Sequence, residues 1–234
     1  MIMPSDKEYK STKQIMLGKA IIDRDFIELA KWIDETYDVR TINIIYDTFI
    51  AARKKQSRLQ ICFEFEEESL KFRDGHLGNF HSDKQTAIAK KFTEILRNKK
   101  LTKKLRLTDI FKPSSYITDN ILIVFSAFEP VARIEANEKV PQGKVSELKK
   151  QLNCDDLWEI SRAFAGTTFF VYTDKQVKHY ENSETRRIWA DKYFDLLEPY
   201  NEFGYFKRDK FNIYLDSKEN FDNNYESNWY YYYK

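Results

Sequence analysis

Ser82-Asp83-Lys84-Gln85-Thr86-Ala87-Ile88-Ala89-Lys90-Lys91-Phe92-Thr93-Glu94-Ile95-Leu96 reads as one amphipathic helix. It returns in altered form as Ser183-Glu184-Thr185-Arg186-Arg187-Ile188-Trp189-Ala190-Asp191-Lys192-Tyr193-Phe194-Asp195-Leu196-Leu197. Ser opens both stretches and an acid follows it. Ala89 falls on Ala190, Lys91 on Lys192, Phe92 on Tyr193, Glu94 on Asp195 and Leu96 on Leu197. Ser is a good N-cap and an acid in the first turn complements the helix dipole, so helices are predicted from Ser82 to about Asn98 and from Ser183 to Leu197.

Strand patterns flank both helices. Thr41-Ile42-Asn43-Ile44-Ile45-Tyr46 is rich in β-branched residues, and Arg58 to Phe65 alternates through Leu59, Ile61, Phe63 and Phe65. Lys54 to Ser57 reads as the break between them. Ser69-Leu70-Lys71-Phe72 reads as a third, short strand of an antiparallel meander, and Asn120 to Phe128 as a continuous apolar strand. In the second half Thr167 to Tyr172 is a strand with Val177 to Tyr180 as its hairpin partner. Phe211 to Asp216 is another strand, and Trp229 to Tyr233 a last one. Phe63-x-Phe65 before Leu70-Lys71 mirrors Phe170-x-Tyr172 before Val177-Lys178, and the differing loop lengths cost little free energy. Residues 12–36, Lys144–Leu152 and Asp155–Phe164 carry helical spacing, the first with Ile22, Phe26, Leu29, Ala30 and Ile33 on one stripe.

The fold expected is therefore α+β: antiparallel β-meanders packed with helices, arranged as two degenerate tandem strand–strand–helix–strand units. The organisation is an N-terminal helical segment over 1–40, a first α+β unit over 41–128 and a second over 129–234, forming one compact structure.

Composition narrows the class. The 234 residues are 42% hydrophobic and 32% charged, which excludes disorder, and six Gly and five Pro exclude collagen-like chains. Formal net charge is only +2, and the start, Met1 to Glu8, lacks the apolar stretch of a secretory signal. Cys62 and Cys154 are the only cysteines; two lone thiols in a chain this long read as reduced hydrophobes, and the compartment expected is the cytoplasm. Fifteen Tyr and eighteen Phe make the aromatic content unusual.

Four constellations bear on chemistry. His76 and His81, with Asp74 and Asp83, lie in a loop whose imidazoles and carboxylates suit a divalent metal, while His179 stands far away in sequence. Asp47 and Glu64 join His76 and His81 in a metal-dependent hydrolase reading, but no helical His pair or Cys pair fixes a geometry, so no metal, cofactor or catalytic residue is assigned. Arg97 to Arg106 is a basic run in which Lys99, Lys100, Lys103, Lys104 and Arg106 are placed to neutralise phosphates, with Phe111 and Tyr116 nearby to stack on bases. A chain charge of +2 argues against nucleic acid as the principal partner, and no apolar run approaches the ~20 residues that span a membrane. Glu66-Glu67-Glu68 form an acidic knot. The C-terminal stretch mixes Asp216, Glu219, Asp222 and Glu226 with Tyr225, Trp229 and Tyr230 to Tyr233, and Tyr and Trp are favoured interface anchors. No Gly-rich phosphate loop or nucleophile elbow accompanies them, so an enzyme is not expected.

A chain of this kind, ending in acidic-aromatic segments such as Asn212–Asp216 and Asn228–Tyr233 and lacking catalytic motifs, resembles immunity proteins of bacterial polymorphic toxin systems, of the contact-dependent or type VI kind. The resemblance implies a protein that binds and neutralises one cognate toxin domain. The interface candidates are Glu66, Glu67, Glu68, Asp216, Asp222, Tyr225, Glu226 and Trp229.

Overall fold

The computed structural model describes residues 2–51, 54–75, 78–101 and 116–234. The chain divides into two compact units, Met1–Glu129 and Pro130–Lys234. In unit 1, α1 (Lys7–Met16) and α2 (Ile27–Tyr37) precede β1 (Thr41–Ala51) and β2 (Lys54–Phe63). α3 (Glu66–Leu70), the small hairpin β3 (Arg73–Asp74) and β4 (Asn79–Phe80), α4 (Ser82–Asn98) and β5 (Leu122–Ala127) follow. The boundary between units falls inside α5 (Phe128–Lys139). Unit 2 continues with α6 (Gln142–Leu152), β6 (Leu157–Ala163), β7 (Gly166–Val171), α7 (Asp174–Tyr180), α8 (Glu184–Leu197), β8 (Tyr214–Ser217), α9 (Lys218–Tyr225) and α10 (Trp229–Tyr232).

The architecture is α+β, and the two units repeat one topology. Each has a three-stranded sheet, ordered β1-β2-β5 and β6-β7-β8, in which the first two strands are antiparallel and the third returns parallel to the second after a helix. The third strand is thus not the next strand of a meander. A register shift interrupts the first pairing at the same place in each copy, between Thr41 and Asn43 and between Leu157 and Glu159. The backbone N–H two residues past the third strand closes onto the carbonyl just past the second, Glu129 onto Glu64 at 2.9 Å and Glu219 onto Tyr172 at 3.1 Å. The buried stripes of α4 and α8 coincide as the sequence match implied: Ile88, Phe92 and Leu96 against Trp189, Tyr193 and Leu197. The strand match slips by one residue. Phe63 pairs with Ala127 as Val171 pairs with Ser217, so Phe170 corresponds to Cys62 and lies on the sheet face opposite α6 and α8.

Leu59, Ile61 and Phe63 of β2, fully buried, meet α2 and α4 through Leu29, Ile33, Ile88 and Phe92. Phe72 packs against both Phe63 (4.8 Å between centroids) and Phe125 (4.4 Å), which lie 6.1 Å from each other, in a triangle of three nearly parallel rings. In unit 2, Ile160, Phe169 and Val171 pack on Val145, Leu148, Trp189, Tyr193 and Leu197. Under that core, buried Asn137 donates to the carbonyls of Phe164 and Gly166, both at 3.0 Å, and accepts from the hydroxyls of Tyr193 (2.7 Å) and Thr167 (3.3 Å).

Several local expectations change. Ser69 to Phe72 is not a strand: Glu66 to Glu68 favour a helix first turn, and Glu68 closes it by accepting from the Phe65 N–H at 2.8 Å. Residues 12–36 form two helices, not one, with Gly18 taking φ +68° in the connection. Asp155 to Phe164 is not helical; the register shift in β6 puts both Leu157 and Ile160 on the core side and so imitates helical spacing. Val177 to Tyr180 is the end of α7, started by a Thr173–Gln176 capping box. Trp229 to Tyr232 is the helix α10, capped by Asn228. The N-cap of α4 is His81, with Ser82 the first helical residue.

Candidate protein-interaction site

The C-terminal segment is built onto the outer face of the unit 2 sheet, away from α6 and α8. Ser217 caps α9 by accepting from the Asn220 N–H at 2.8 Å. Asp216, one residue earlier, accepts from the Asn220 amide at 2.9 and 3.0 Å and from the Tyr232 hydroxyl at 2.6 Å. α9 stops where Glu226 and Ser227 both adopt left-handed backbone, φ 54° each, and the reversal is held by Ser227 N–H to Phe221 and Asn228 N–H to Tyr225. Asn228 then starts α10 through the Tyr230 N–H at 2.9 Å.

Because α10 is a helix, its aromatics divide by helical rather than strand spacing. Trp229, Tyr232 and Tyr233 turn inward: Trp229 lies 4.3 Å from Phe221 and stacks on Trp158 at 6.0 Å and 6°. Tyr232 meets Phe170 at 5.2 Å, and Tyr233 donates to the Ser161 hydroxyl at 2.7 Å. Tyr230 and Tyr231 turn outward, 68% and 47% exposed, and Trp229 keeps 37%. Tyr214 on β8, 66% exposed, shares the sheet face of Asp216, and its ring would lie 3.1 Å from a Cβ at Gly166, so a side chain there would require the ring to give by a few tenths of an ångström.

Residues 214–233 carry Asp216, Glu219, Asp222 and Glu226 against the single base Lys218. Asp222 is engaged by Lys218 and by the Ser227 hydroxyl, which hold its carboxyl below the usual range. Glu219 accepts from the Asp174 N–H at 3.0 Å. Glu226 is exposed at the reversal just before the outward tyrosines. Burial, then the Asp216 carboxylate it bonds, raise the Tyr232 phenol above its ordinary value of about 10. A phenol whose folded value is raised contributes stability that is complete below about pH 10 and is lost as pH climbs through the folded value. Alkaline titration is therefore expected to release α10 and erase the near-ultraviolet dichroism of the Trp158–Trp229 stack, an effect that Tyr232→Phe reduces and that Tyr232→Phe/Tyr233→Phe removes, since burial raises the Tyr233 phenol as well.

Five of the eight interface candidates, Asp216, Asp222, Tyr225, Glu226 and Trp229, come together here, with Tyr225 meeting Tyr232 at 4.9 Å. Trp229 faces mainly inward. Sequence reasoning passed over Trp158 and Phe170, which arrive from β6 and β7, and the division among Tyr230 to Tyr233, which the Trp229/Tyr232/Tyr233 spacing signals. The acidic knot lies in unit 1. Glu66 and Glu67 are exposed, but Glu68 is bound to the N–H groups of Arg40 (2.6 Å) and Phe65, a capping role.

The other constellations separate. Glu64 is buried and ion-paired with Arg40. Asp47 accepts from Arg58 and Gln60, both at 2.9 Å. His81 is an exposed helix cap, and His76 lies outside the described residues. Among the described residues no cluster of His, Cys, Asp and Glu is arranged to hold a metal. Lys99 is committed to the Asp25 carbonyl at 3.2 Å, and Lys100 is exposed. Lys103, Lys104, Arg106 and Phe111 lie outside the described residues. Tyr116 does not stack outward for a base: it is buried against Phe26 and Phe92 with its hydroxyl on Asp25 at 2.9 Å. Cys62 and Cys154 are free thiols, and burial pushes Cys62 up to about 11. Among the described residues no helix is long and apolar enough to cross a membrane.

Comparison of the chain with protein-family models, curated proteins and solved structures returned no match.

Proposed function

We propose that this chain is a cytoplasmic binding protein that docks the acidic-aromatic face of its C-terminal unit on a basic surface of a protein partner, in the manner implied by the resemblance to immunity proteins, and so neutralises a cognate toxin domain. The observation that carries the reading is the outward pair Tyr230 and Tyr231 beside Glu226, on a helix whose other aromatic residues are anchored beneath it. Such a rigid pair buries large area with little loss of rotamer freedom, and the surrounding carboxylates steer a cationic partner and select its orientation. Blocking a basic active site in this way needs no catalytic group.

The test is a pull-down from native-host lysate with tagged chain, with and without nuclease, read by mass spectrometry. It is repeated with Tyr230→Ala/Tyr231→Ala/Glu226→Lys. One stoichiometric protein is expected to survive nuclease and to bind the variant at least about tenfold more weakly, while circular dichroism is unchanged. Capture of nucleic acid alone, or equal capture by the variant, would refute the assignment.

A further inference from the structure

A second surface of unit 2 stands apart from that face. Among the described residues β6 is an edge strand, paired with β7 on one side only. A groove of about 1030 Å³ runs along it, with the β6 edge as floor, α6 as one wall and Trp229 at the opposite side. An open strand edge displays main-chain donors and acceptors whose natural complement is another strand. Here two side chains stand in for that strand. The Glu159 carboxylate accepts from the Ile160 N–H at 2.8 Å, and the Lys149 ammonium donates to the Trp158 carbonyl. The two charged groups lie 3.6 Å apart and are each about one-third exposed, at 34% and 39%. In unit 1 the position of Glu159 is taken by Asn43, whose amide is turned to Thr12 at 3.0 Å, so the clasp belongs to unit 2 alone.

We propose that the β6 edge is a docking groove for an extended, acidic peptide segment of another protein, which adds beside β6 as a fourth strand after displacing the Lys149–Glu159 clasp. The main chain of the segment takes over the hydrogen bonds that the clasp now makes. Alternate side chains of an added strand point to the two sheet faces. Those on one face meet the α6 wall, where Gln142, Ser146, Lys149 and Lys150 line the groove, while Glu138, Asp155 and Glu159 line it from outside that helix. With Glu159 displaced, Lys149 and Lys150 are the charges the α6 wall presents to the segment, and they select Glu or Asp at the positions that face them. Those on the other face meet Trp229, which selects apolar residues. The recognised pattern is acidic and apolar in alternation. Trp229 borders both this groove and the acidic-aromatic face; main-chain docking depends on β6 and α6, and only the apolar half of the pattern depends on Trp229.

The experiment titrates the full chain with a fluorescein-labelled peptide of alternating Glu and Val, against one of alternating Lys and Val, and follows amide hydrogen exchange. The Glu/Val peptide is expected to bind and to slow exchange within residues 157–163. Glu159→Gln, which loosens the clasp and removes a like charge, is expected to tighten binding about fivefold, and Lys149→Ala/Lys150→Ala to weaken it about tenfold. All three residues are at the surface, so the fold is retained. Failure of both the wild type and Glu159→Gln to bind, equal binding of the Lys/Val peptide, protection elsewhere than β6, or concentration-dependent protection of β6 without peptide, meaning a second copy occupies the edge, would each overturn the proposal.

Discussion

Asn137→Ala is expected to destabilise unit 2 by about 3–5 kcal/mol. The side chain is 1% exposed and makes four hydrogen bonds. Truncation strands the buried hydroxyls of Tyr193 and Thr167 and takes the partner from the part-buried carbonyls of Phe164 and Gly166; each buried group left unsatisfied costs about 1–3 kcal/mol before relaxation. The network also fixes the β6–β7 turn: Phe164, in left-handed backbone at φ 52°, is held by its carbonyl on Asn137. Asn137→Asp keeps the shape and loses the donor, so it should be at least as damaging. Tyr193→Phe removes one of the four bonds and should cost about 1 kcal/mol. Because the chain has two units, amide exchange should be followed alongside urea unfolding: the accelerated amides are expected in Pro130–Lys234. A loss below about 1 kcal/mol would show that the turn is held by something other than Asn137.

Phe72→Ala is expected to cost unit 1 about 3–5 kcal/mol. Phe72 is fully buried and its ring packs against Phe63 and Phe125, with Tyr37 in a T-shaped contact at 5.0 Å. Removing it takes away burial and ring–ring attraction and leaves a cavity lined by side chains fixed in strands β2 and β5, which cannot collapse into it. Phe72→Leu fills most of the space and should recover about half of the loss. Here the faster-exchanging amides are expected within Met1–Glu129. Equal loosening of both units would contradict the separate cores.

The elements legible in the sequence are those whose signal is local and periodic. α4 and α8 show an apolar stripe and a polar start, β2 a clean alternation, and the likeness of the two helices survived into matching buried positions. What was misread shares one cause, short elements whose identity depends on a hydrogen bond rather than a period. α3 and α7 are each set by a side chain returning to the N-cap backbone, and β6 is disguised by one extra residue. The candidate site was legible where its parts are neighbours in sequence, from Asp216 to Trp229. Trp158 and Phe170 stayed hidden because only sheet register delivers them to α10. The capping role of Glu68 stayed hidden because a carboxylate that caps a helix looks, in sequence, like its two exposed neighbours.

The shared wiring of the two units gives the described residues of the common strands and helices a twin within the same polypeptide. Phe65–Glu68 answers to Thr173–Gln176, Asn43 to Glu159, and Asp38, left-handed at the end of α2, to Asn153 at the end of α6. A perturbation in one half can therefore be read against an untouched internal control under identical solvent, temperature and concentration. The differences between twins then separate what the scaffold requires from what each half has acquired for its own purpose. Asn43 lies under α1, whereas its twin Glu159 guards an open edge: one wiring diagram with two outward faces, free to diverge because the architecture beneath them is held in common.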